Sequence, residues 1–293
     1  MGDKGVEFLY TYETLKLEFP LTEPERADFV ILGVPFDGTT SYKAGARFGP
    51  TLIRHGTLNL ESYILDYDID ISTLPIADIG DVAVVAGDSR RTADRVRDTL
   101  KELKEKNPTA IPIVLGGEHS QTLGAVEALK PASYVVFDAH LDLRNVYEDN
   151  PYNHACVARR ISELGVEEAI FGVRSGTREE VEFARKANIT WVHARNYSFE
   201  HFVDVVDSLP EPVYISVDID VFDASMVPST GTPEAGGLAF WDVVEALEWL
   251  VKKKEIVGFD IMEVAGEKLG DPTALTAAKL LFHFIGAVGR FRF

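Results

Sequence analysis

Three short stretches hold the side chains best suited to chemistry. IVLGGEHSQTLG carries His119, VVFDAHLDLRN carries Asp138, His140 and Asp142, and YISVDIDVFD carries Asp218, Asp220 and Asp223. Each polar cluster closely follows an apolar run. Alternate side chains of an extended chain share a face. Asp138, His140 and Asp142 are therefore expected to point one way, and Asp218 and Asp220 likewise. Four carboxylates and two imidazoles in one crevice need cations between them to stay charged. The number suits two divalent ions with bridging carboxylates. Oxygen-rich ligation without thiolate favours a hard ion such as Mn2+ over a structural zinc. A paired site of this kind lowers the pKa of water and clamps a tetrahedral intermediate.

Other polar residues have plainer readings. Asp223 at a strand end is expected to form a turn. His55, His193, His201 and His283 are expected to be hydrogen-bonded structural residues. Gly116–Gly117 lacks the Lys-Ser/Thr of a phosphate loop. Cys156 has nothing basic clearly placed to activate it and is expected to pack.

The elements that must position these residues follow a β-then-α rhythm. Strands are expected over Asp28–Val34, Ile111–Leu115, Ser133–Phe137, Ala169–Val173, Ile189–Val192, Pro212–Val217 and Glu255–Ile261. Several are continuous Val/Ile/Leu/Phe runs, as in a parallel sheet buried on both faces. Helices are expected over Ser89–Glu105, with Ser89 as N-cap, and over His119–Leu129, Thr177–Lys186, Trp241–Lys253 and Asp271–Phe284. The fold class is α/β: one three-layer α/β/α domain over 1–293 with a mostly parallel sheet. In such sheets ligands bind at the carboxyl ends of the strands. The irregular stretch Leu141–Tyr152 is a candidate wall of the site.

The chain has 293 residues, with 29 Lys and Arg against 47 Asp and Glu, a net charge of −18. That excess argues against nucleic acid, which is held by clustered Lys and Arg, and against anionic lipid. It suits a cationic partner. The single cysteine fits a reducing, cytoplasmic setting. The first residues lack the pattern of a signal peptide, and Val6 stands where a myristoylation signal needs Ser or Thr. No apolar run approaches the roughly 18 residues of a membrane span.

The same motifs carry a resemblance. The sequence resembles the ureohydrolases, the family of arginase, agmatinase and their relatives. The match runs through GVPFDGTTSYKAGARFGPTLIR (Gly33–Arg54), DIGDV (Asp78–Val82), GGEHS (Gly116–Ser120), FDAHLDLR (Phe137–Arg144), SVDIDVFD (Ser216–Asp223), STGTPEAGGL (Ser229–Leu238) and FDIMEV (Phe259–Val264). It implies one α/β domain with about eight parallel strands, a homo-oligomer (trimer or hexamer), and two Mn2+ per chain. One ion would be held by His119, Asp138, Asp142 and Asp218. The other would be held by Asp138, His140, Asp218 and Asp220. Asp142 would pass a proton to the departing amine, His154 would shuttle protons at the site mouth with a near-neutral pKa, and Glu263 would pair with the guanidinium. Such enzymes hydrolyse a guanidino group to urea and an amine.

Within the family the chain looks most like agmatinases. It has Arg174–Ser175 where arginases carry Arg-Asp, and the expected reaction is agmatine to putrescine and urea. Arginine, guanidinobutyrate and aminopropylagmatine are the alternative small cationic guanidino substrates. A one-zinc deacetylase-like site and a non-catalytic binding protein are the readings from outside the family. Ser229, Ala155 and Ala265–Gly266 depart from the family pattern and are expected to line the approach to the metals.

Overall fold

The computed structural model describes residues 8–292, so the readings of Met1–Gly2 and Val6 lie outside the described residues. Its strands are β1 (Thr11–Tyr12), β2 (Phe29–Val34), β3 (Tyr63–Ile64), β4 (Ile69–Asp70), β5 (Ile76–Val82), β6 (Ile111–Gly116), β7 (Ser133–Phe137), β8 (Glu167–Val173), β9 (Thr190–His193), β10 (Val213–Asp218) and β11 (Ile256–Met262). Its helices are α1 (Gly49–Thr57), α2 (Ser89–Lys106), α3 (Thr122–Leu129), α4 (Val157–Ser162), α5 (Arg178–Ala187), α6 (Phe199–Val206), α7 (Phe240–Lys253) and α8 (Pro272–Phe291). All seven expected strands are present within a few residues of their expected ends.

Apart from the β3–β4 hairpin, the strands form one sheet in the order β1-β5-β2-β6-β11-β10-β7-β8-β9. Only β1, at the edge, runs antiparallel to its neighbour. The other pairings are parallel. Nine strands thus stand where the resemblance implied about eight. Along β2, Phe29 and Ile31 enter one apolar core with Leu52, Phe202, Leu247 and Leu281. Val30 and Leu32 enter the other, with Val96, Leu123, Val157 and Ala184. Helices α1 and α6–α8 therefore cover one face, and α2–α5 the other. That is the three-layer arrangement.

The sequence pattern passes over β5 because Asp78 and Asp81 interrupt its apolar run. The structure neutralises both acids. Arg54 of α1, fully buried, donates to the Asp78 carboxylate at 2.9 Å and to Asp81 at 2.5 Å. Helices α1, α4 and α6 are also absent from the sequence reading; α1 opens on Gly-Pro and α4 spans six residues, both too weak for a periodic signal. The cap of α2 is Asp88 rather than Ser89, its carboxylate accepting the Arg91 amide. Helix α8 is long and apolar enough by length and composition to cross a membrane, although Lys279, His283 and Arg290 interrupt its apolar run. Most of it is buried beneath the sheet.

Candidate metal centre and substrate pocket

Strands β6, β11, β10 and β7 are contiguous at the middle of the sheet. Their carboxyl ends deliver His119, Glu263, Asp218 and Asp138 to one place. Here the strand order reverses, the crevice that open α/β sheets use for ligands. After β6 the chain passes Gly117, where a Cβ would lie 2.0 Å from the Phe36 carbonyl oxygen. Only glycine lets the turn approach so closely, and it drops His119 into a tight turn before α3.

Strand alternation accounts for only part of the convergence. Asp138 directly follows β7, and its Oδ1 accepts the His140 amide at 2.6 Å. Asp142 sits at φ +51°, a left-handed conformation that no extended chain contains. Asp220 lies in the turn Ile219–Val221, whose first amides fold onto Asp218: Oδ1 of Asp218 accepts the Asp220 amide at 2.9 Å. Carboxylate-to-backbone turns, rather than a shared strand face, bring these residues inward. Arg174 braces the same turn by donating to the carbonyls of Asp220, Phe222 and Glu234.

All six expected ligands meet. His119 Nδ1 lies 3.1 Å from Asp138 Oδ2, 3.2 Å from Asp218 Oδ2 and 3.7 Å from Asp142 Oδ2. His140 Nδ1 lies 3.1 Å from Asp220 Oδ2 and 3.5 Å from Asp138 Oδ1. Two groups of donors result, His119 with Asp138 and Asp142, and His140 with Asp138 and Asp220. Asp138 offers one oxygen to each. Adjacent ligands of an octahedral ion with bonds of about 2.1 Å sit about 3 Å apart, so the spacing fits hard divalent cations. Buried His119 Nδ1, with no hydrogen-bond partner among the described residues, also fits. Burial pushes Asp142 and Asp218 well above the usual carboxylate range, and neighbouring aspartates push them further. Burial opposes ionisation of Asp138 too, but the imidazoles of His119 and His140 beside it hold it below its ordinary value.

The outer face of His119 is built by residues the spacing argument did not single out. Nε2 contacts Ser216 Oγ at 2.9 Å and Tyr134 Oη at 3.1 Å. Buried Asp260 accepts the hydroxyls of Ser216, Tyr214 and Thr122. Such outer hydrogen bonds set the orientation of a ligating imidazole. The quoted motifs contained all of these residues except Tyr134, which fell in an expected strand; no residue spacing marked them.

A cavity of about 230 Å³ opens onto the cluster, lined by Asp142, Asp218, Glu263, His154, Arg144, Tyr147, Glu180 and Ser41, among others. Leu141, Asp142, Arg144 and Tyr147 come from the loop expected to form a wall. Glu263, at φ +65°, accepts the His119 amide at 2.7 Å through Oε1. Burial, then the nearby Glu118, pushes its carboxyl up to about 8. His154 Nδ1 lies 2.8 Å from the Thr39 carbonyl and Nε2 3.2 Å from Ser41 Oγ. The expectation of a near-neutral His154 is not met, because burial pushes it down to about 4.

The departures from the family pattern separate in space. Ala155 lines the cavity; Ser229 and Ala265–Gly266 do not, against expectation. Ser229 instead donates to Asp271 at the start of α8. Asp223 accepts the Ser225 and Gly236 amides, the turn role expected of it. His193 accepts the Arg195 amide. His283 departs from the expectation of a hydrogen-bonded ring. Neither ring nitrogen has a partner among the described residues, and the ring packs edge-on against Tyr67, Phe240 and Trp241 instead. Cys156 is buried, and burial raises its thiol to about 11, as a packing residue requires.

Known proteins share this chain's sequence and shape. The family model described as "Arginase family" matches residues 27–286. The chain is 83% identical over 286 residues to an N(1)-aminopropylagmatine ureohydrolase of Thermococcus kodakarensis, covering 98% of this chain and 99% of that one. It is 64% identical to an agmatinase of Pyrococcus horikoshii, covering 96% and 99%. Among solved structures, the agmatine ureohydrolase of Thermoplasma volcanium superposes with a TM-score of 0.87 at 37% identity, covering 96% of each chain. With the model spanning most of its length and relatives this similar over their whole lengths, the chain belongs to the arginase family.

Proposed function

We propose that this protein hydrolyses the guanidino group of a carboxylate-free agmatine derivative to urea and an amine, using two Mn2+. The observation that carries the proposal is the convergence of six candidate metal-ligand side chains at the floor of an acidic cavity that Glu263 also lines. His119, Asp138, Asp142 and Asp218 would hold one ion; Asp138, His140, Asp218 and Asp220 would hold the other. Bound there, the pair would supply an activated water and neutralise developing negative charge. Glu263, with one oxygen tied to the His119 amide, orients the guanidinium, a planar cation that matches a carboxylate. Asp142 passes a proton to the departing amine. His154 exchanges protons with solvent at the mouth. The family resemblance further supports a homo-oligomer, a trimer or hexamer, which sedimentation reads directly.

The cavity wall supports the choice of substrate. Asp142, Glu180, Asp218 and Glu263 face a single cationic lining residue, Arg144. Arg144 stacks over Tyr147 at 4.5 Å and lies 4.0 Å from Glu180, so it is poorly placed to serve a substrate carboxylate. Ser175 lines the cavity where an arginase would place an Asp for the α-amino group. Agmatine fits this wall, and its N1-aminopropyl derivative adds a further cation. The 83% identity to an aminopropylagmatine ureohydrolase favours the longer substrate.

Urea release from agmatine, aminopropylagmatine, guanidinobutyrate and arginine, with added Mn2+, tests the proposal. Aminopropylagmatine is expected to lead, with agmatine next. Both should exceed arginine in kcat/KM by at least about two orders of magnitude, since a site rejects a group it leaves unpaired. Equal rates with arginine would overturn the substrate assignment. No urea from any of the four would leave a non-catalytic binding protein.

A further inference from the structure

A chain of hydrogen bonds runs from the turn before His119 to the far side of His154, and each bond in it has only one direction. Glu118 is fully buried. Its Oε2 accepts the Thr39 amide at 2.7 Å, and its Oε1 accepts the Thr39 hydroxyl at 2.6 Å. The Ser120 hydroxyl also donates to Oε1. A threonine hydroxyl has one hydrogen. With that hydrogen committed to Glu118, Thr39 Oγ1 can only accept, and it accepts the His154 amide at 3.0 Å. The Thr39 carbonyl is an acceptor as well, so its 2.8 Å contact with His154 Nδ1 requires a hydrogen on Nδ1. Asn153 braces the same carbonyl from its side-chain amide at 3.2 Å. A neutral imidazole carries one N–H. Nε2 is therefore left with a free lone pair, 3.2 Å from the Ser41 hydroxyl, and both residues line the cavity.

We infer that Glu118 and Thr39 are positioning residues: Glu118 fixes Thr39 through its amide and hydroxyl, and the Thr39 carbonyl so placed locks His154 in its Nδ1–H tautomer, so that Nε2, beside Ser41, is the proton acceptor on the cavity side. Nε2 takes a proton from the cavity to give the imidazolium, Nδ1–H stays bonded to the Thr39 carbonyl, and the same Nε2 proton is then lost to solvent. The histidine ends as it began. The inference rests on the proton-moving role proposed above for His154.

Neutron diffraction from deuterium-exchanged, Mn2+-loaded enzyme reads the ring directly. Deuterium is expected on His154 Nδ1 and on Thr39 Oγ1 facing Glu118, and absent from Nε2. In Glu118→Gln the side chain can no longer accept both the Thr39 amide and the Thr39 hydroxyl, so the Thr39 carbonyl loses its fixed place against Nδ1. Deuterium should then gain on Nε2. This variant should keep its metal and its KM while losing roughly tenfold or more in kcat, within the range that proton transfer contributes. Thr39→Val should behave in the same way, and Thr39→Ser should restore the rate; this pair carries the test if Glu118→Gln does not fold. Deuterium on Nε2 of the parent enzyme would overturn the inference. So would unchanged kcat in Thr39→Val, or a loss of metal in Glu118→Gln. A ring locked as described in a protein that releases no urea would sink the hydrolase reading and leave the lock standing.

Discussion

Asp142 and Glu263 face the same cavity, and both hold left-handed backbone angles that branched or bulky residues seldom adopt. Such conformations cost about 1–3 kcal/mol each and persist where the surroundings over-determine them. At Glu263 the surroundings are visible: its amide donates to the Gly117 carbonyl and its carboxylate accepts the His119 amide. Asp220 serves a narrower role. Its Oδ2 faces His140, and its Oδ1 accepts the Ala139 amide. Asp220→Ala should therefore cost one of two manganese equivalents and leave the other, with turnover falling at least about a hundredfold, the upper range for losing even an outer contact. Metal analysis of the purified variant that finds two tight equivalents would refute the assignment. The clustered donor types were legible in the sequence at this scale. The turns that aim them were not, since Asp142 and Asp220 arrive through left-handed and tight-turn geometry rather than strand alternation.

Among the elements, β5 shows how a polar sequence becomes a buried strand. Asp78 and Asp81 enter the interior because Arg54 arrives from α1, twenty-four and twenty-seven residues earlier in the chain. The same guanidinium also donates to the Gly80 carbonyl, so its donors are largely satisfied. Removing one partner of such a cluster strands the others. Arg54→Met leaves two buried carboxylates without a cation and should cost about 3–5 kcal/mol in chemical denaturation. Replacing all three by apolar residues of similar volume should recover much of that loss, because breaking a buried pair costs more than never having it. A single variant as stable as the parent would show that these acids find other partners. Strands rich in Val, Ile and Phe were legible because burial on both faces selects them locally. Strand β5 was not, because its compensating charge lies outside any local window.

Across the whole molecule, charge is unevenly compensated. Glu168 on β8 is buried, and neither carboxylate oxygen has a hydrogen-bond partner among the described residues. Burial pushes its pKa well above 4.5. At pH below about 4.5 the group is protonated in both folded and unfolded chains and costs nothing by ionisation. As pH rises further, the unfolded chain ionises while the folded one stays protonated, so stability falls until the raised folded pKa is passed. Glu168→Leu removes that penalty. Its advantage over the parent should widen with rising pH above about 5, by up to about 1.4 kcal/mol per pH unit until the raised folded pKa is passed, in denaturant titrations. A gap that does not change with pH would mean that the folded protein already ionises this group or pairs it.

The sequence alone was enough for the α/β class, for the parallel core strands and for the six ligand types, because each is written in local composition: apolar runs that both faces bury, and donor residues placed where such runs end. Tertiary structure alone decided the rest. It placed four strand ends side by side in an order unlike their order in the chain. It brought Thr39 to His154 across 115 positions of chain and Glu118 to Thr39 across 79, and it buried that imidazole deeply enough to push its pKa down. It also sent Ser229 to the cap of α8, away from the cavity. These outcomes depend on which distant backbone groups meet and on how much water they exclude, and neither quantity is a property of any short stretch of chain.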